Sequence, residues 1–157
     1  MAADLWLLWD KTLPIHLQWL EKPSEQDNLD LDKLYADAPS DWFPQDPLIK
    51  GSAWALQQVN QGANIALGRF NDRIVSAARL VAQSDSAAPA YTYQIEQVCV
   101  RNVTRKRGVA KQLLVRLCQW ANETQVALYI KDDKGQLSGL YELGFVQYLQ
   151  GWRFLPR

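Results

Sequence analysis

Three consecutive cations and a glycine stand between an alternating segment and a helix-periodic segment of this chain. Arg105, Lys106, Arg107 and Gly108 belong to the stretch VRNVTRKRGVAKQLL, residues 100–114. The first turn of a helix presents unpaired backbone N–H groups and the positive end of the helix dipole, so a phosphate can bind there. The glycine permits close approach, and the cations can add charge-assisted hydrogen bonds. This pattern predicts a diphosphate site, and a solvated basic helix start with a turn glycine remains the alternative.

Two common nucleotide motifs are absent from this segment. The P-loop requires a Lys-Ser/Thr pair after its second glycine, and the dinucleotide fingerprint requires a second and a third glycine. The chain as a whole carries 17 Lys plus Arg and 17 Asp plus Glu, which gives a net charge of zero. A protein that binds a nucleic-acid backbone normally has a basic surplus. We therefore expect no nucleic-acid partner and a local anion site.

Cysteine and histidine usage argues against metal and thiol chemistry. His16 is the single histidine, and Cys99 and Cys118 are the only two thiols, on segments typical of a strand and a helix. We therefore expect no metal site, no disulfide framework and a reducing cytoplasm. Asp4 and Asp10 interrupt the apolar start, so it does not resemble a signal peptide, and no uncharged run is long enough to cross a bilayer. A soluble protein with no membrane partner is predicted.

Hydrophobic periodicity supplies the elements that must position the basic segment. The pattern predicts the order β-α-α-β-β-β-α-β-α-β within one domain, residues 1–157. The predicted elements are a strand from Ile15, a helix capped by Ser24, a helix ending at Gly62, a hairpin turning at Asn71, the strand YTYQIEQVCVR, a helix from Val109 to about Asn122, the strand VALYIK, a short helix closed by Gly144 and a terminal strand pair.

The segment IEQVCVRNVTRKRGVAKQLL resembles the acetyl-CoA-binding core of the GNAT acyltransferase superfamily. The superfamily's Q/R-x-x-G-x-G/A motif stands here as residues 105–110, and LYELGF, residues 140–145, is similar to its later helix-to-strand signature. The resemblance implies an α/β (α+β) fold with a mixed central sheet flanked by helices. It also implies acetyl-CoA or CoA as the cofactor.

By the same resemblance, the pantetheine arm of the cofactor lies along Val98, Cys99 and Val100, where the strand splays away from its neighbour. The pyrophosphate then lies on backbone amides at the start of the following helix. The residues that the resemblance assigns to this pyrophosphate site are Arg105, Lys106, Arg107, Gly108, Val109, Ala110 and Lys111.

A closer resemblance, to the PanM/PanZ group, covers most of the chain. It rests on LEKPSEQDNLDLDKLY, GRFNDRIVSAARL, VRNVTRKRGVAKQLL and LGFVQYLQGW. Members of that group are GNAT-fold maturation factors that bind acetyl-CoA and promote self-cleavage of the aspartate 1-decarboxylase proenzyme. This chain departs from them in an N-terminal extension, residues 1–13, and in a longer second-helix region. The resemblance implies that the proenzyme is the partner.

The segment GRFND is a candidate partner-binding hairpin tip. Arg69 and Asn71 would act there as paired donors to a chain terminus or to backbone carbonyls of the partner. An ordinary turn with solvated ends would give the same residues. Both interpretations are open from the sequence.

Acyl transfer to an amine would need a general base and a general acid near the thioester. Glu96, on the strand that leads into the basic segment, is the candidate base, and an edge-facing carboxylate is the alternative. GNAT enzymes commonly place the acid, a tyrosine, five residues before the phenylalanine of the GF pair, where this chain has Leu140. Tyr141 is one position later, a rotation of about 100° on an α-helix, and is expected to pack instead. This favours a regulatory protein, with an N-acetyltransferase as the alternative.

Overall fold

A computed structural model gives the fold and describes residues 14–43, 49, 51–83, 91–101 and 108–157. Within these ranges, strands and helices follow one another in the predicted order. None of the helices in them is long and apolar enough to span a membrane. The elements are β1 (His16–Trp19), α1 (Glu25–Ala36), a first 3₁₀ helix (Ser40–Trp42), α2 (Gly51–Asn60), β2 (Asn64–Phe70), β3 (Arg73–Gln83), β4 (Thr92–Val100), α3 (Val109–Thr124), β5 (Ala127–Lys131), a second 3₁₀ helix (Ser138–Leu143), β6 (Val146–Tyr148) and β7 (Gly151–Phe154).

The described strands form one mixed sheet in the order β1-β2-β3-β4-β5-β7-β6. Only the β4–β5 pair is parallel, and α3 supplies the crossover that parallel neighbours require. Side chains alternate between the two faces, so Ile65 and Leu67 join a core cluster with α1 and α2, whereas Ala66 joins a cluster with α3. The mixed sheet flanked by helices is therefore confirmed.

Local sequence signals explain where the helices begin and end. Ser24 caps α1 by accepting from the Asp27 amide at 3.0 Å, while the Asp27 carboxylate accepts from the Ser24 amide at 3.1 Å. Helix α3 runs two residues beyond the predicted Asn122 and ends at Thr124, followed by Gln125 in the left-handed region. Gly144 ends the last helix as predicted, and this helix is 3₁₀.

Three of the sequence expectations fall wholly or partly outside the described residues. These are the N-terminal extension (residues 1–13), the start of the second predicted helix (residues 47–50, except Ile49) and the basic segment (residues 102–107). The part of the second helix that the structure describes begins at Gly51 and ends at Asn60, two residues before the predicted Gly62.

The β2–β3 hairpin turns at Asn71 and Asp72, whose φ angles are 49° and 65°. Two positive φ angles are typical of the tight turn that matches the twist of paired strands, so the predicted hairpin is confirmed. Two ion pairs fasten the turn end of this hairpin to α1: Arg69 to Asp27 at 2.9 Å, and Arg73 to Asp30 at 2.6 Å.

Of the two carboxylates in these ion pairs, that of Asp30 is fully buried, since its side chain is 0% exposed. Besides Arg73, it accepts hydrogen bonds from the Ile74 amide at 3.1 Å and from Gln26 at 2.9 Å. Burial by itself raises the pKa of the Asp30 carboxyl, but the hydrogen bonds outweigh it and hold that pKa below its ordinary value. Folding is therefore stabilised by the ionised form.

We expect Asp30→Asn to lower the free energy of unfolding at pH 7 by about 2 kcal/mol, because hydrogen bonds to a buried charge are lost. Since the folded-state pKa is depressed, this contribution is present above the unfolded value of about 4 and disappears as the pH falls through the folded value. Urea unfolding at pH 7 and at pH 3 measures the difference. Asp133→Asn, at an exposed carboxylate, is the control and should change little at either pH. An equal deficit at both pH values would contradict the ionic role.

Candidate functional site

The strands β4 and β5 are paired for only three residues and then separate. Thr92, Tyr93 and Gln94 pair with Ala127–Tyr129, and no residue from 95 to 100 has a partner in β5. On its other side, β4 stays paired with β3 as far as Val100. The β5 side of residues 95–100 therefore faces the space between the two strands rather than the backbone of β5. This is the splay that the family resemblance implies.

A β-bulge in β4 accompanies the separation. The pairing with β3 shifts between Ala77–Cys99 and Arg79–Glu96, so two residues of β4 face Ala78. Gln97, in the bulge, has a φ of 53°, an unfavourable conformation for a residue other than glycine. A bulge bends the strand and redirects the side chains beyond it.

Helix α3 begins beside the end of β4 with its backbone amides open. Gly108 occupies the N-cap with a φ of 69°, a conformation that a Cβ would strain. The first intrahelical bond runs from the Gln112 amide to the Gly108 carbonyl at 2.9 Å. The amides of residues 109–111 precede that bond and have no carbonyl within the helix to bind. The helix dipole adds partial positive charge at this end.

These two elements line one cavity of about 550 Å³. Val98–Val100 contribute the strand side and Gly108–Lys111 the helix side, so residues predicted from separate parts of the motif lie together. Arg105, Lys106 and Arg107 lie outside the described residues. Sequence reasoning missed the third wall, formed by Asp37, Ala38, Pro39 and Trp42 after α1.

The cavity combines two kinds of recognition. Backbone groups on the part of β4 that has separated from β5 can bind amide groups of an extended ligand, as a neighbouring strand would. The open start of α3 favours an anionic group. Lys111 lies at this end with a 61% exposed side chain, and its ammonium is 3.9 Å from the Glu142 carboxylate, a weak surface contact. An elongated molecule with amides at one end and phosphate at the other fits this arrangement.

The candidate base, Glu96, is engaged in an ion pair. Its carboxylate accepts from Arg79 at 2.6 Å across the β3–β4 pair, and its side chain is 35% exposed. Sequence reasoning missed Arg79, although an arginine between buried Ala78 and Leu80 indicates a need for a charged partner. For Glu96 to accept a proton from a substrate, this contact would have to rearrange. Its catalytic role stays a prediction.

The second 3₁₀ helix places Leu140 inward and Tyr141 outward. Leu140 is 6% exposed in the core cluster of α3, whereas Tyr141 is 71% exposed and does not line the cavity. The expectation that Tyr141 packs is therefore wrong, because the neighbouring leucine fills the core position. The exposed Tyr141 phenol therefore does not face the cavity between β4 and α3.

At the hairpin tip, Arg69 and Asn71 do not form a matched pair of open donors. The Arg69 guanidinium donates to both oxygens of Asp27, to the Asp72 carbonyl at 2.9 Å and to the Gln18 side chain, and it is 19% exposed. Asn71 is exposed in the turn. Contact of Arg69 with a partner would require one of these bonds to be replaced, and both roles stay predictions.

Both cysteines are buried thiols rather than halves of a disulfide. Cys99 lines the cavity and donates to the Leu34 carbonyl at 3.3 Å. Burial raises the pKa of Cys118 to about 12, which suppresses the thiolate. Within the described ranges, no group of three His, Cys, Asp or Glu residues is placed to hold a metal ion.

This chain is similar to known proteins both in its fold and in its sequence. A Staphylococcus aureus GNAT family acetyltransferase aligns at a TM-score of 0.63 with 18% identity, over 88% of this chain and 96% of that one. The mixed sheet, the strand separation and the following helix therefore form a GNAT fold. The sequence profile of the family described as "Acetyltransferase (GNAT) domain, PanZ" matches residues 14–142, and the chain belongs to this family.

Two matches from Escherichia coli, one of sequence and one of structure, extend the comparison. The PanD regulatory factor of strain K12 is 29% identical over 142 residues, which cover 85% of this chain and 92% of the relative. The solution structure of YhhK bound to coenzyme A is 25% identical, with a TM-score of 0.53, over 90% of this chain and 98% of that one.

Thiol labelling tests the cavity. In the folded protein at pH 8, we expect iodoacetamide to modify Cys99 several-fold faster than Cys118, because Cys99 lines an open cavity and the pKa of Cys118 is about 12. Peptide mass spectrometry over time measures both sites, and labelling in denaturant is the control in which the difference should vanish. Faster modification of Cys118 would contradict the arrangement.

Proposed function

We propose that this protein is an acetyl-CoA-binding regulatory factor that promotes maturation of aspartate 1-decarboxylase, PanD. The observation that carries the proposal is the cavity between the separated half of β4 and the open start of α3. Membership of the PanZ family and the likeness to the E. coli PanD regulatory factor support it. The partner would be the decarboxylase proenzyme. Two buried thiols fit a cytoplasmic location.

The cofactor's chemistry matches the cavity along its length. The two amides of pantetheine would pair with the backbone of Val98–Val100, on the part of β4 that has separated from β5. The pyrophosphate would bind the amides of Gly108–Lys111 and the positive end of α3. Arg105, Lys106 and Arg107, which precede this helix in the sequence, would add cationic donors. E. coli YhhK, solved with coenzyme A, supports this choice of ligand.

The position of the candidate acid and base favours regulation over acyl transfer. Tyr141 is 71% exposed and does not line the cavity, and Glu96 is held by Arg79. A transferase would need both groups within hydrogen-bond reach of the thioester. The fold therefore retains the means to bind acetyl-CoA while the described residues offer no assembled proton-transfer pair.

The hairpin tip is the proposed contact for the proenzyme. Its turn is rigid because ion pairs on both strands fasten it to α1. A rigid tip loses little conformational entropy on binding. In this proposal Asn71 contacts the partner, and Arg69 acts mainly as a positioning residue through Asp27.

Acetyl-CoA titration followed by calorimetry tests the cofactor site. We expect Gly108→Glu to abolish binding, because the new side chain brings steric conflict and negative charge to the start of α3. Gly135→Glu is the matched control: Gly135 also has a positive φ, 64°, and a Cβ there meets nothing within 4 Å. Acetyl-CoA should also protect Cys99 from iodoacetamide. Unchanged binding by Gly108→Glu, or no heat with the unmodified protein at millimolar acetyl-CoA, would overturn the cofactor site.

Cleavage of the decarboxylase proenzyme from the same source tests the regulatory role. We expect this protein with acetyl-CoA to accelerate cleavage, without release of CoA thiol in the presence of amines and peptides. Asn71→Ala should weaken the complex in co-purification while acetyl-CoA affinity of the free protein stays the same, and Gln147→Ala at the opposite sheet edge is the control. Equal cleavage rates with and without this protein would refute the regulatory role, and thiol release slowed by Glu96→Gln would indicate a transferase.

A further inference from the structure

Helices α1 and α2 cover only part of one face of the sheet. Their core cluster includes described residues of β2, β3 and β4, and none of β5, β6 or β7. On β5 and β7, Leu128 and Trp152 point to the other face, toward α3. Side chains alternate along a strand, so the neighbouring Tyr129 and Arg153 lie on the face with α1 and α2, beyond that cluster. Both side chains are half-buried.

Strand register brings Tyr129 and Arg153 together with two further side chains. Gln94, Tyr129 and Arg153 are successive partners across β4, β5 and β7, and partners in register share a face. The Tyr148 ring of β6 completes the group, with its centroid 3.9 Å from Arg153 Cζ and 6.4 Å from the centroid of the Tyr129 ring. We call these four residues the Arg153 cluster. It lies beside the point where β4 and β5 separate, because Gln94 and Tyr129 form their last pair.

The Arg153 guanidinium is oriented by the Tyr148 ring but has no carboxylate partner in the described part of the chain. Its Nε is buried without a hydrogen-bond partner. Nη1 and Nη2 make no hydrogen bond to a described residue either, yet they keep exposed surface. Stacking on the ring fixes the plane of the guanidinium and leaves these two nitrogens as an open fork of donors.

The two phenols add uncharged donors beside this fork. Within the described ranges, neither the Tyr129 hydroxyl nor the Tyr148 hydroxyl has a hydrogen-bond partner, and both keep exposed surface. Gly151 lies opposite Tyr148 on β7, and a Cβ there would be 2.7 Å from the Tyr129 hydroxyl oxygen. The glycine therefore lets the Tyr129 phenol lie across β7, toward Tyr148 and Arg153.

The charged residues two positions along β4 and β5 from this cluster are already paired. Glu96 accepts from Arg79 at 2.6 Å, and the Lys131 ammonium is 3.5 Å from the Asp133 carboxylate. The charges of these two pairs cancel, so the guanidinium of Arg153 leaves the cluster with one positive charge. The cluster therefore favours an anion that carries a single negative charge.

From these contacts we propose that the Arg153 cluster binds a carboxylate group. The carboxylate would accept from Nη1 and Nη2 of Arg153 as a fork and from the Tyr148 hydroxyl. One cation with neutral donors matches a monoanion, whereas a phosphate dianion would keep an uncompensated charge beside Glu96. The inference goes beyond acetyl-CoA binding, since none of the four residues lines the cavity between β4 and α3.

Titration of the full-length protein with sodium propionate at constant ionic strength, observed by amide NMR, tests the site. We expect the Gln94 and Tyr129 amides to shift at millimolar propionate, while propionamide and propylamine produce much smaller shifts. Arg153→Gln should weaken propionate binding about 5-fold. Lys134→Gln is the matched control, because it removes the same charge from an exposed side chain in the loop after β5; it should leave the affinity unchanged.

Two conservative variants separate geometry from charge. Arg153→Lys keeps the charge and loses the fork, so it should weaken propionate binding about 3-fold. Tyr148→Phe keeps the ring under the guanidinium and removes only the hydroxyl, so binding should weaken about 3-fold while the thermal unfolding temperature stays unchanged. Equal shifts with propionate and propionamide, or full affinity in Arg153→Lys, would overturn the proposal.

A peptide arm identifies the source of the carboxylate. N-acetylated trialanine that binds more tightly than propionate through its free carboxyl terminus would support a polypeptide terminus as the ligand. Equal or weaker binding would support a small carboxylate, and equal binding by the C-terminally amidated peptide would overturn the site. Acetyl-CoA affinity should be unchanged in Arg153→Gln. Absence of acetyl-CoA binding by the unmodified protein would overturn the cofactor site alone, because propionate binding is measured without the cofactor.

Discussion

The separation of β4 from β5 is the constraint on which the rest of this structure depends. Three residues of parallel pairing hold the strands together, and beyond Gln94 β4 no longer pairs with β5 while its pairing with β3 continues. Backbone groups in a protein interior need hydrogen-bond partners, so a strand that leaves its neighbour inside a sheet makes room for a ligand or water in the neighbour's place. The bulge at Gln97 bends β4 at the same place, and the chain returns into α3 with its amides facing the space that the strands leave.

The sheet can open only because it is fastened elsewhere. Buried side chains of α1 and α2 cover one face and those of α3 cover the other, and the cluster on the α3 face joins Ile95 of β4 to Leu128 of β5. The ion pairs of Asp27 and Asp30 hold the turn end of the β2–β3 hairpin, beside the end of β4, where the Arg101 amide donates to the Val75 carbonyl at 2.9 Å. The carboxylate of Asp30 is fully buried, and removal of one partner would leave a charge or donors unsatisfied, which makes such a contact intolerant of substitution. The fixed hairpin therefore supports the end of β4 from the β3 side, while the cavity lies on the other side of that strand.

Local signals in the sequence predicted most elements correctly. Ser24 began a helix, Asn71 turned a hairpin and Gly144 ended a helix, because caps and turns depend on residues within a few positions of one another. The wall formed by Asp37 and Trp42 was not predictable, since it meets β4 across about sixty residues and no local periodicity encodes that contact. The direction of the Arg69 side chain was not predictable for the same reason. A charged residue near a strand end is typical of a solvated turn, and only the position of Asp27 on α1 shows that Arg69 points toward that helix.

The position of Leu140 explains how a GNAT fold can keep its ligand cavity without a tyrosine directed toward it. Leu140 is 6% exposed and packs in the same cluster as Phe145, so the register of the second 3₁₀ helix is set by the core. One residue on a 3₁₀ helix is a rotation of about 120°, which leaves Tyr141 facing solvent. Turning Tyr141 inward would expose Leu140, at a cost of about 2 kcal/mol. The residues of β4 and α3 that line the cavity do not depend on that register, so the cavity can form although Tyr141 faces solvent.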